Sequence, residues 1–90
     1  MKTNISPKAE RKIEEIYTYI AKDNKQAAEK TVNRIHGIVG LISRNPYLGI
    51  VGRKENTREF FIPDTNYFIV YKIEKELLYI VNVIHVAKNY

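Results

Sequence analysis

Apolar residues recur every three or four positions along the first third of the chain, the spacing that places side chains on one face of an α-helix. Ser6 precedes this stretch and Pro7 opens it, a pairing typical of a helix N-terminus. We therefore predict a helix from Pro7 to Lys22 with an apolar face of Ala9, Ile13, Ile16, Tyr17 and Ile20. Asp23 and Asn24 interrupt the pattern and supply the cap of a second helix.

The second helical pattern runs from Lys25 to Ser43, and its apolar face consists of Ala28, Thr31, Val32, Ile35, Ile38, Val39 and Ile42. Gly37 and Gly40 weaken this helix by roughly 1 kcal/mol each relative to alanine. Two explanations stay open for these glycines: close approach of a neighbouring backbone, or simple tolerance. The short link between the helices predicts an antiparallel helical hairpin.

The remaining apolar stretches have the β-rich composition of strands. Residues 2–5 predict a short strand, and Asn45-Pro46 ends the second helix and opens a loop over residues 45–56. Further strands are predicted at Thr57–Ile62, Tyr67–Glu74 and Leu77–Val86. Their short connections favour antiparallel neighbours. The fold class is therefore α+β, one domain over residues 1–90 with the order (β)ααβββ and the helical hairpin packed on an antiparallel sheet.

The chain is basic, with 15 lysine and arginine residues against 10 acidic ones and a formal net charge of +5. Nine of the basic and five of the acidic side chains lie within residues 1–44, so the excess belongs mainly to the helical half. A small basic domain meets nucleic acid or an acidic protein partner, or simply has a basic solvated surface. Charge alone does not separate these interpretations.

Several kinds of chemistry lack the residues they need. The chain has no cysteine, the only serines, Ser6 and Ser43, fall at helix ends, and the two histidines, His36 and His85, lack metal-ligand spacing. No glycine-rich phosphate loop is present, so we expect no cofactor, no metal and no small-molecule substrate. No apolar run approaches the roughly 18 residues of a membrane span, and no signal peptide is recognisable. A cytoplasmic protein without a membrane partner is expected.

The residues that could carry chemistry gather in the strand half: Arg53, Lys54, Arg58, Lys72, His85, Lys88 and Tyr90. Alternation along a strand places Arg58 on the same side as Phe60 and Ile62, and Glu59 on the other side. Arg58 is therefore expected to be half-buried and paired. The favoured interpretation is a structural arginine held by a carboxylate, since charges on a sheet are usually solvated or paired.

His85 and the tyrosines each allow two interpretations. His85 is either a proton donor or acceptor near neutral pH or a hydrogen-bonded residue at a strand end, and the second is favoured because the spacing identifies no carboxylate partner. The strand tyrosines, Tyr67, Tyr71 and Tyr79, are more often core or rim than stacking platforms. Tyr90, the last residue, is either functional or frayed.

Four strings resemble the RelE/ParE superfamily of bacterial toxins, and the resemblance covers nearly the whole chain. They are Asn-Pro-Tyr-Leu-Gly at 45–49, Thr-Arg-Glu-Phe-Phe-Ile-Pro at 57–63, Tyr-Phe-Ile-Val-Tyr-Lys-Ile at 67–73 and Val-Ile-His-Val-Ala-Lys-Asn-Tyr at 83–90. Each string alone is weak, whereas their order and spacing together are specific. The resemblance implies a growth-inhibiting toxin of a type II toxin–antitoxin pair, with a role such as plasmid stabilisation.

RelE-like members of the superfamily cut mRNA in the ribosome without a metal. The RNA 2′-hydroxyl attacks the neighbouring phosphate while cations on the concave sheet face offset the developing charge. The resemblance gives this role to Arg58, His85, Lys88 and Tyr90. Phe60 and Phe68, however, stand where two cations are expected, and each lost charge-assisted contact costs roughly 1.5–3 kcal/mol.

ParE-like members poison DNA gyrase, and this branch fits better. The similarity lies in the Thr-Arg-Glu strand and in the ending with a histidine, a small residue, a basic residue and an aromatic, although Val86 and Lys88 replace a common glycine and arginine. We therefore favour gyrase as the target, with Arg53 and Lys54 as candidates for target or nucleic-acid binding. The alternatives are a RelE-like ribosome-dependent mRNA endonuclease and an inactive relative that only binds its antitoxin.

Both branches imply a cognate antitoxin. In the superfamily a disordered antitoxin tail folds on the toxin, with a helix in the groove by the helical hairpin and often a strand along the sheet edge. The net charge of +5 suits an acidic tail, because opposite charges speed its capture.

Overall fold

The computed structural model describes residues 1–90 as two helices on one face of a five-stranded sheet. The helices are α1, Pro7–Ala21, and α2, Lys25–Arg44. The strands are β1, Lys2–Ile5; β2, Ile50–Val51; β3, Arg58–Phe61; β4, Tyr67–Glu74; and β5, Leu77–His85. The predicted α+β class and the helical hairpin on a sheet are confirmed.

Both helices begin at the residues that the sequence pattern predicts. The Ser6 hydroxyl accepts a hydrogen bond from the Ala9 N–H at 3.0 Å and donates one to the Val81 carbonyl at 2.9 Å, so this cap also ties α1 to the sheet. Asn24 caps α2 by accepting from the Ala27 N–H at 3.0 Å. The predicted helix ends differ from the observed ones by a single residue each. Neither helix has the length and apolar character needed to cross a bilayer.

The strands lie side by side in the order β1-β5-β4-β3-β2. β1 runs parallel to β5, and the other neighbours are antiparallel. The prediction of an antiparallel sheet is therefore wrong for one pair. Short turns impose antiparallel pairing on β3, β4 and β5, but β1 is joined to the sheet through the helices, so no turn restricts its direction.

The predicted loop 45–56 contains a short strand, β2, which the sequence did not predict. Ile50 pairs with Glu59 and Val51 with Arg58, so β2 extends the sheet beyond β3. A strand this short offers no alternation of apolar and polar residues. Strand prediction from alternation needs about four residues or more and therefore does not detect β2.

The sheet buries side chains on both faces. The face that carries the helices holds the main core, which includes Ile13, Ile35, Ile69, Tyr71 and Ile80. The opposite face, here called the open face, holds a smaller cluster made of Phe68, Val70 and Ile84, with Val81 and Tyr90 packed against it. Neighbouring residues of β4 thus alternate between the two clusters, as strand geometry requires.

No neighbouring backbone packs closely against the glycines of α2. A Cβ on Gly37 would meet nothing within 4 Å, and one on Gly40 would meet only the flexible end of Arg44 at 3.5 Å. Close approach is therefore the wrong explanation for these two residues. Gly49 does need its small size, because a Cβ there would lie 2.6 Å from the Tyr71 hydroxyl.

Candidate functional site

An apolar groove of about 440 Å³ crosses the open face beside β2 and β3. It is lined by Leu48, Ile50, Arg53, Glu59, Phe60, Phe61, Phe68 and Val86. Ile50 and Phe61 are 72% and 53% exposed, so large apolar side chains face solvent around it. Exposed apolar surface gathered in one place marks a site of interaction. We call this surface the open-face groove.

A buried carboxylate, Glu59, lies within the groove. Its Oε2 accepts a hydrogen bond from the Arg53 backbone N–H at 2.9 Å, and its Oε1 accepts from the Arg53 guanidinium at 3.2 and 3.4 Å. The Tyr90 hydroxyl also donates to Oε2. Burial by itself raises the pKa of Glu59, but these hydrogen bonds outweigh burial and hold the pKa below its ordinary value. Glu59 is therefore ionised at neutral pH.

The C-terminal residue packs over this carboxylate. The Arg53 guanidinium carbon lies 4.9 Å from the ring centre of Phe68 and 4.7 Å from that of Tyr90, within the range of cation–π attraction. Burial and the hydrogen bond to Glu59, together with its charge, raise the pKa of Tyr90 to about 12. Tyr90 is therefore an ordered hydrogen-bond donor and not a frayed end, and it is poorly suited to act as a general base at neutral pH.

Arg58 lies on the helix-bearing face of the sheet. Its Nη1 donates to the Gly49 carbonyl at 2.7 Å and to the Tyr47 carbonyl at 3.4 Å, and its guanidinium carbon lies 5.0 Å from the Tyr47 ring centre. No carboxylate forms an ion pair with it. The expectation of a carboxylate partner is therefore wrong, because loop carbonyls satisfy this arginine instead.

Tyr71 fixes the same loop from the core. Its buried hydroxyl donates to the Pro46 carbonyl at 2.9 Å and accepts from the Gly49 N–H at 2.8 Å. Through these hydrogen bonds Arg58 and Tyr71 hold loop residues 46–49 in place, and this loop brings Leu48 to the open-face groove. Both residues are thus positioning residues for that groove.

His85 and Lys88 lie elsewhere, in a cleft of about 330 Å³ beside α1. The His85 ring meets the Tyr67 ring edge-on, with centroids 5.3 Å apart and an angle of 87° between the planes. Its Nδ1 accepts a hydrogen bond from the Ala87 N–H at 3.1 Å. This geometry matches the interpretation of His85 as a hydrogen-bonded histidine at a strand end.

The candidates chosen from the sequence therefore do not form one cluster. Only three of them, Arg53, Lys54 and Tyr90, meet on the open face, where the Lys54 Nζ lies 5.6 Å from the Tyr90 ring centre. Lys72 is paired with Glu74 at 3.3 Å. The catalytic and target-binding roles of the candidates stay predictions.

Register decides which residues could hold a phosphate on the open face. Phe61, not Phe60, lies opposite Phe68, and Phe60 packs against the main core. Side chains at the positions of Arg58 and Phe60 therefore cannot act together with a side chain at the position of Phe68 to hold one phosphate. On the open face the β3 residues nearest Phe68 are Phe61 and the ionised Glu59, and neither is a cation.

The polar side chains at the open-face groove form hydrogen bonds with one another. Both carboxylate oxygens of Glu59 are occupied by hydrogen bonds, and the Tyr90 hydroxyl is used as their donor. No group of three or more histidine, aspartate or glutamate side chains is arranged to hold a metal ion. The groove thus presents apolar side chains around one satisfied ion pair.

Sequence reasoning missed Glu59, the centre of this arrangement. The available signal was its position between Arg58 and Phe60 on a strand, which puts its side chain on the face opposite to theirs. Its partners lie at Arg53, in a loop, and at Tyr90, the chain end. No local pattern connects residues so far apart in sequence.

The architecture is similar to that of solved toxin–antitoxin structures. A chain of the chromosomal ParDE TA system from P. aeruginosa superposes with a TM-score of 0.84 at 17% identity, covering 94% of this chain and 95% of that chain. A chain of the YoeB–YefM complex from Staphylococcus aureus gives 0.58 at 22% identity, covering 100% and 98%. A chain of the RelBE2 complex from Mycobacterium tuberculosis gives 0.56 at 21% identity, covering 93% and 95%. These likenesses establish the fold.

Sequence comparison gives the family. A protein of Sinorhizobium fredii strain NGR234 described as "Putative toxin Y4kP" is 37% identical over 70 residues, which is 78% of this chain and 73% of that protein. The family model described as "ParE toxin of type II toxin-antitoxin system, parDE" matches residues 4–90. The chain therefore belongs to the ParE toxin family of type II toxin–antitoxin systems.

Proposed function

We propose that this toxin inhibits growth by binding DNA gyrase through the open-face groove, and that a cognate antitoxin neutralises it. One observation carries the choice of target. An mRNA-cutting relative would need several cations on β3 and β4 of the open face, but these strands carry Phe61, Phe68 and the ionised Glu59 there, and the nearest cation, Arg53, is paired with Glu59. Membership of the ParE toxin family also supports gyrase as the target.

The electrostatics of the open face support a binding role over phosphoryl transfer. Cleavage of RNA through its 2′-hydroxyl builds negative charge on the phosphate, which preorganised cations must offset. Here the guanidinium of Arg53 is 3.2 Å from the Glu59 carboxylate, so this cation is already paired with an anion. A buried carboxylate at this place opposes the developing charge.

The side chains around the groove suit a protein partner. Leu48, Ile50, Phe61 and Val86 are all exposed at its edges. Arg53 and Tyr90 lie among them, and arginine and tyrosine are enriched where proteins bind one another tightly. An apolar surface with an arginine and a tyrosine beside it can be buried by a protein partner such as gyrase.

Three features support an antitoxin partner with an acidic tail that folds on binding. β2 is an outer strand with exposed Ile50 and Val51, so a further strand can pair along it. The net charge is +5. Similar folds occur in proteins solved as toxin–antitoxin complexes. Such a tail, laid along β2, would also cover the open-face groove.

The proposal is tested with purified gyrase by measuring binding and supercoiling. Ile50 and Val51 form a matched pair: both are exposed residues of β2, but Ile50 lies on the side of Glu59 and Val51 on the side of Arg58. We expect Ile50→Ala to weaken gyrase binding at least about fivefold, in line with the loss of one apolar contact. Val51→Ala should bind like the unmodified protein.

Three results would count against the proposal. Equal weakening by both alanine variants would place the gyrase-binding surface outside the groove. Absence of gyrase binding, combined with codon-specific cutting of mRNA on ribosomes, would establish the endonuclease alternative. A folded protein that affects neither target but binds its antitoxin would be the inactive relative.

A further inference from the structure

The cleft that holds His85 and Lys88 is a second candidate site, on another surface than the open-face groove. It opens between the C-terminal half of α1 and the adjoining ends of β4 and β5. Its polar side chains are Lys12, Glu15, Tyr19, Tyr67, His85 and Lys88. We propose that this cleft binds single-stranded nucleic acid, with a backbone phosphate held by Lys12, His85 and Lys88 and a base stacked on Tyr19.

The hydrogen bond at His85 determines what the imidazole offers. Nδ1 accepts from the Ala87 N–H, so in the neutral ring the proton resides on Nε2. That N–H forms no hydrogen bond within the protein and can donate to an anion. Lys88 follows in the same turn, is exposed and forms no ion pair. The end of β5 thus presents two donors that no other group of the protein uses.

The two tyrosines add a flat apolar surface and a further donor. Tyr19 is 73% exposed, which is unusual for a large aromatic ring and leaves a face free for stacking. Burial and the neighbouring Tyr19 phenol raise the pKa of Tyr67, so its hydroxyl stays protonated. Neither hydroxyl is used in a hydrogen bond within the protein. The Tyr67 hydroxyl can therefore donate to a phosphate or base oxygen, whereas Tyr19 contributes its ring.

Two acidic side chains near the cleft are paired, whereas Glu14, on the adjoining surface of α1, forms no ion pair. Glu15 lies 3.9 Å from the Lys12 ammonium group, and Asp64, at the outer margin, is held by Arg34 at 3.1 Å. The Glu15 side chain is exposed and the N–O distance is long, so the ion pair is weak, and Lys12 can turn to a phosphate and leave the Glu15 carboxylate to solvent. Two lysines and one carboxylate line the cleft, so positive side chains outnumber negative ones there.

The chemistry favours a nucleotide over a peptide. The open-face groove has protruding apolar side chains, which a peptide partner would bury. In the cleft the aliphatic residues Ile16 and Val83 are buried, and what protrudes are cations and phenol rings. Cations beside a free aromatic face are the recurring arrangement for single strands. This inference goes beyond the proposed function and can hold or fail independently of gyrase binding.

The test is fluorescence anisotropy with labelled oligothymidylate of about 12 nucleotides, within the range of known single-strand site sizes. We expect Tyr19→Ala to weaken binding at least about fivefold and Tyr19→Phe to preserve it. Lys88→Ala should lower the slope of log affinity against log salt by about 0.7, the value for one contact to a single strand. Lys30→Ala removes the same charge from α2, outside the cleft, and should have little effect. Circular dichroism confirms folding of each variant.

Three outcomes overturn the proposal. One is the absence of oligonucleotide binding at low salt. Another is equal weakening by Lys30→Ala and Lys88→Ala, which would indicate diffuse attraction to a basic surface. The third is displacement of the oligonucleotide by inorganic phosphate at the same phosphate concentration, which would assign the cleft to a free phosphate. Gyrase binding by Tyr19→Ala, measured in parallel, separates this inference from the proposed function.

Discussion

The hydroxyl of Tyr90 donates a hydrogen bond to the carboxylate of Glu59, so the last residue of the chain is tied to the middle of the sheet. Arg53 completes the arrangement by pairing with Glu59 and by lying against the Tyr90 ring. These contacts join β3, the loop before it and the C-terminus. They shape one wall of the open-face groove, and their strength can be measured.

Removing the Tyr90 hydroxyl should destabilise the protein. Hydrogen bonds to charged groups contribute about 1.5–3 kcal/mol, and the partial exposure of this one places the loss for Tyr90→Phe near the lower value. Urea unfolding followed by circular dichroism measures the change. Tyr79→Phe is the control, because the Tyr79 hydroxyl makes no hydrogen bond within the protein. Equal stability of the two variants would contradict the account.

Stability should depend on pH through Glu59. Its pKa is lower in the folded protein than the ordinary value of 4.5, so the ionised carboxylate favours folding. The contribution is fully present above the ordinary pKa and is lost as pH falls through the lowered folded pKa. We expect the free energy of unfolding of the unmodified protein to fall below about pH 5, in the usual range for paired carboxylates.

Glu59→Gln should be less stable at pH 7, and its stability should change less with pH in this acidic range. Glu76→Gln, a change in the exposed turn between β4 and β5, serves as the control and should keep the full pH dependence. Denaturant unfolding at a series of pH values provides the measurement. An unchanged slope in Glu59→Gln would show that Glu59 is not the group responsible.

Two glycines should respond in opposite directions to alanine. Gly49→Ala introduces a Cβ 2.6 Å from the Tyr71 hydroxyl and 2.8 Å from the Glu59 carbonyl. Overpacking of this kind costs about 1–3 kcal/mol. Gly37→Ala fills open space on a helix and should stabilise by about 0.5–1 kcal/mol. Thermal denaturation of both variants tests the pair, and a stable Gly49→Ala protein would mean that the loop is not pinned as described.

Placing an arginine at Phe68 should not create an RNA-cutting toxin. Phe68 is buried in the open-face cluster and lies 4.9 Å from the Arg53 guanidinium, so Phe68→Arg buries a charge beside a like charge. We expect a loss of at least about 2 kcal/mol of stability and no cleavage of mRNA in a translation extract. Val51→Arg, on the exposed edge strand, is the control for folding. Appearance of codon-specific cleavage in Phe68→Arg would contradict our interpretation of the open face.

Local patterns were sufficient for most of the fold. Ser6 and Asn24 cap the two helices, and the residues that start β4 and β5, Tyr67 and Leu77, are those that alternation and turn residues predict. These features depend on neighbours within a few positions. The parallel placement of β1 and the two-residue β2 depend on distant contacts, and the sequence pattern did not contain them.

The candidate site was less predictable for the same reason. Residue types identified Arg53, Arg58 and Tyr90, but their partners are determined by tertiary packing. Arg58 binds carbonyls of a loop, and Arg53 binds a carboxylate six positions later that the strand turns toward the open face. The cations of the strand half of the sequence therefore belong to three separate surfaces of the folded protein.

The central claim is that this toxin acts on gyrase and not on mRNA. The most direct measurement is to induce the chain in bacteria without its antitoxin and to quantify gyrase–DNA cleavage complexes together with the integrity of mRNA. The account predicts accumulating cleavage complexes, filamentation and intact transcripts, with Ile50→Ala weaker than Val51→Ala. Transcripts cut within codons, without cleavage complexes, would contradict it.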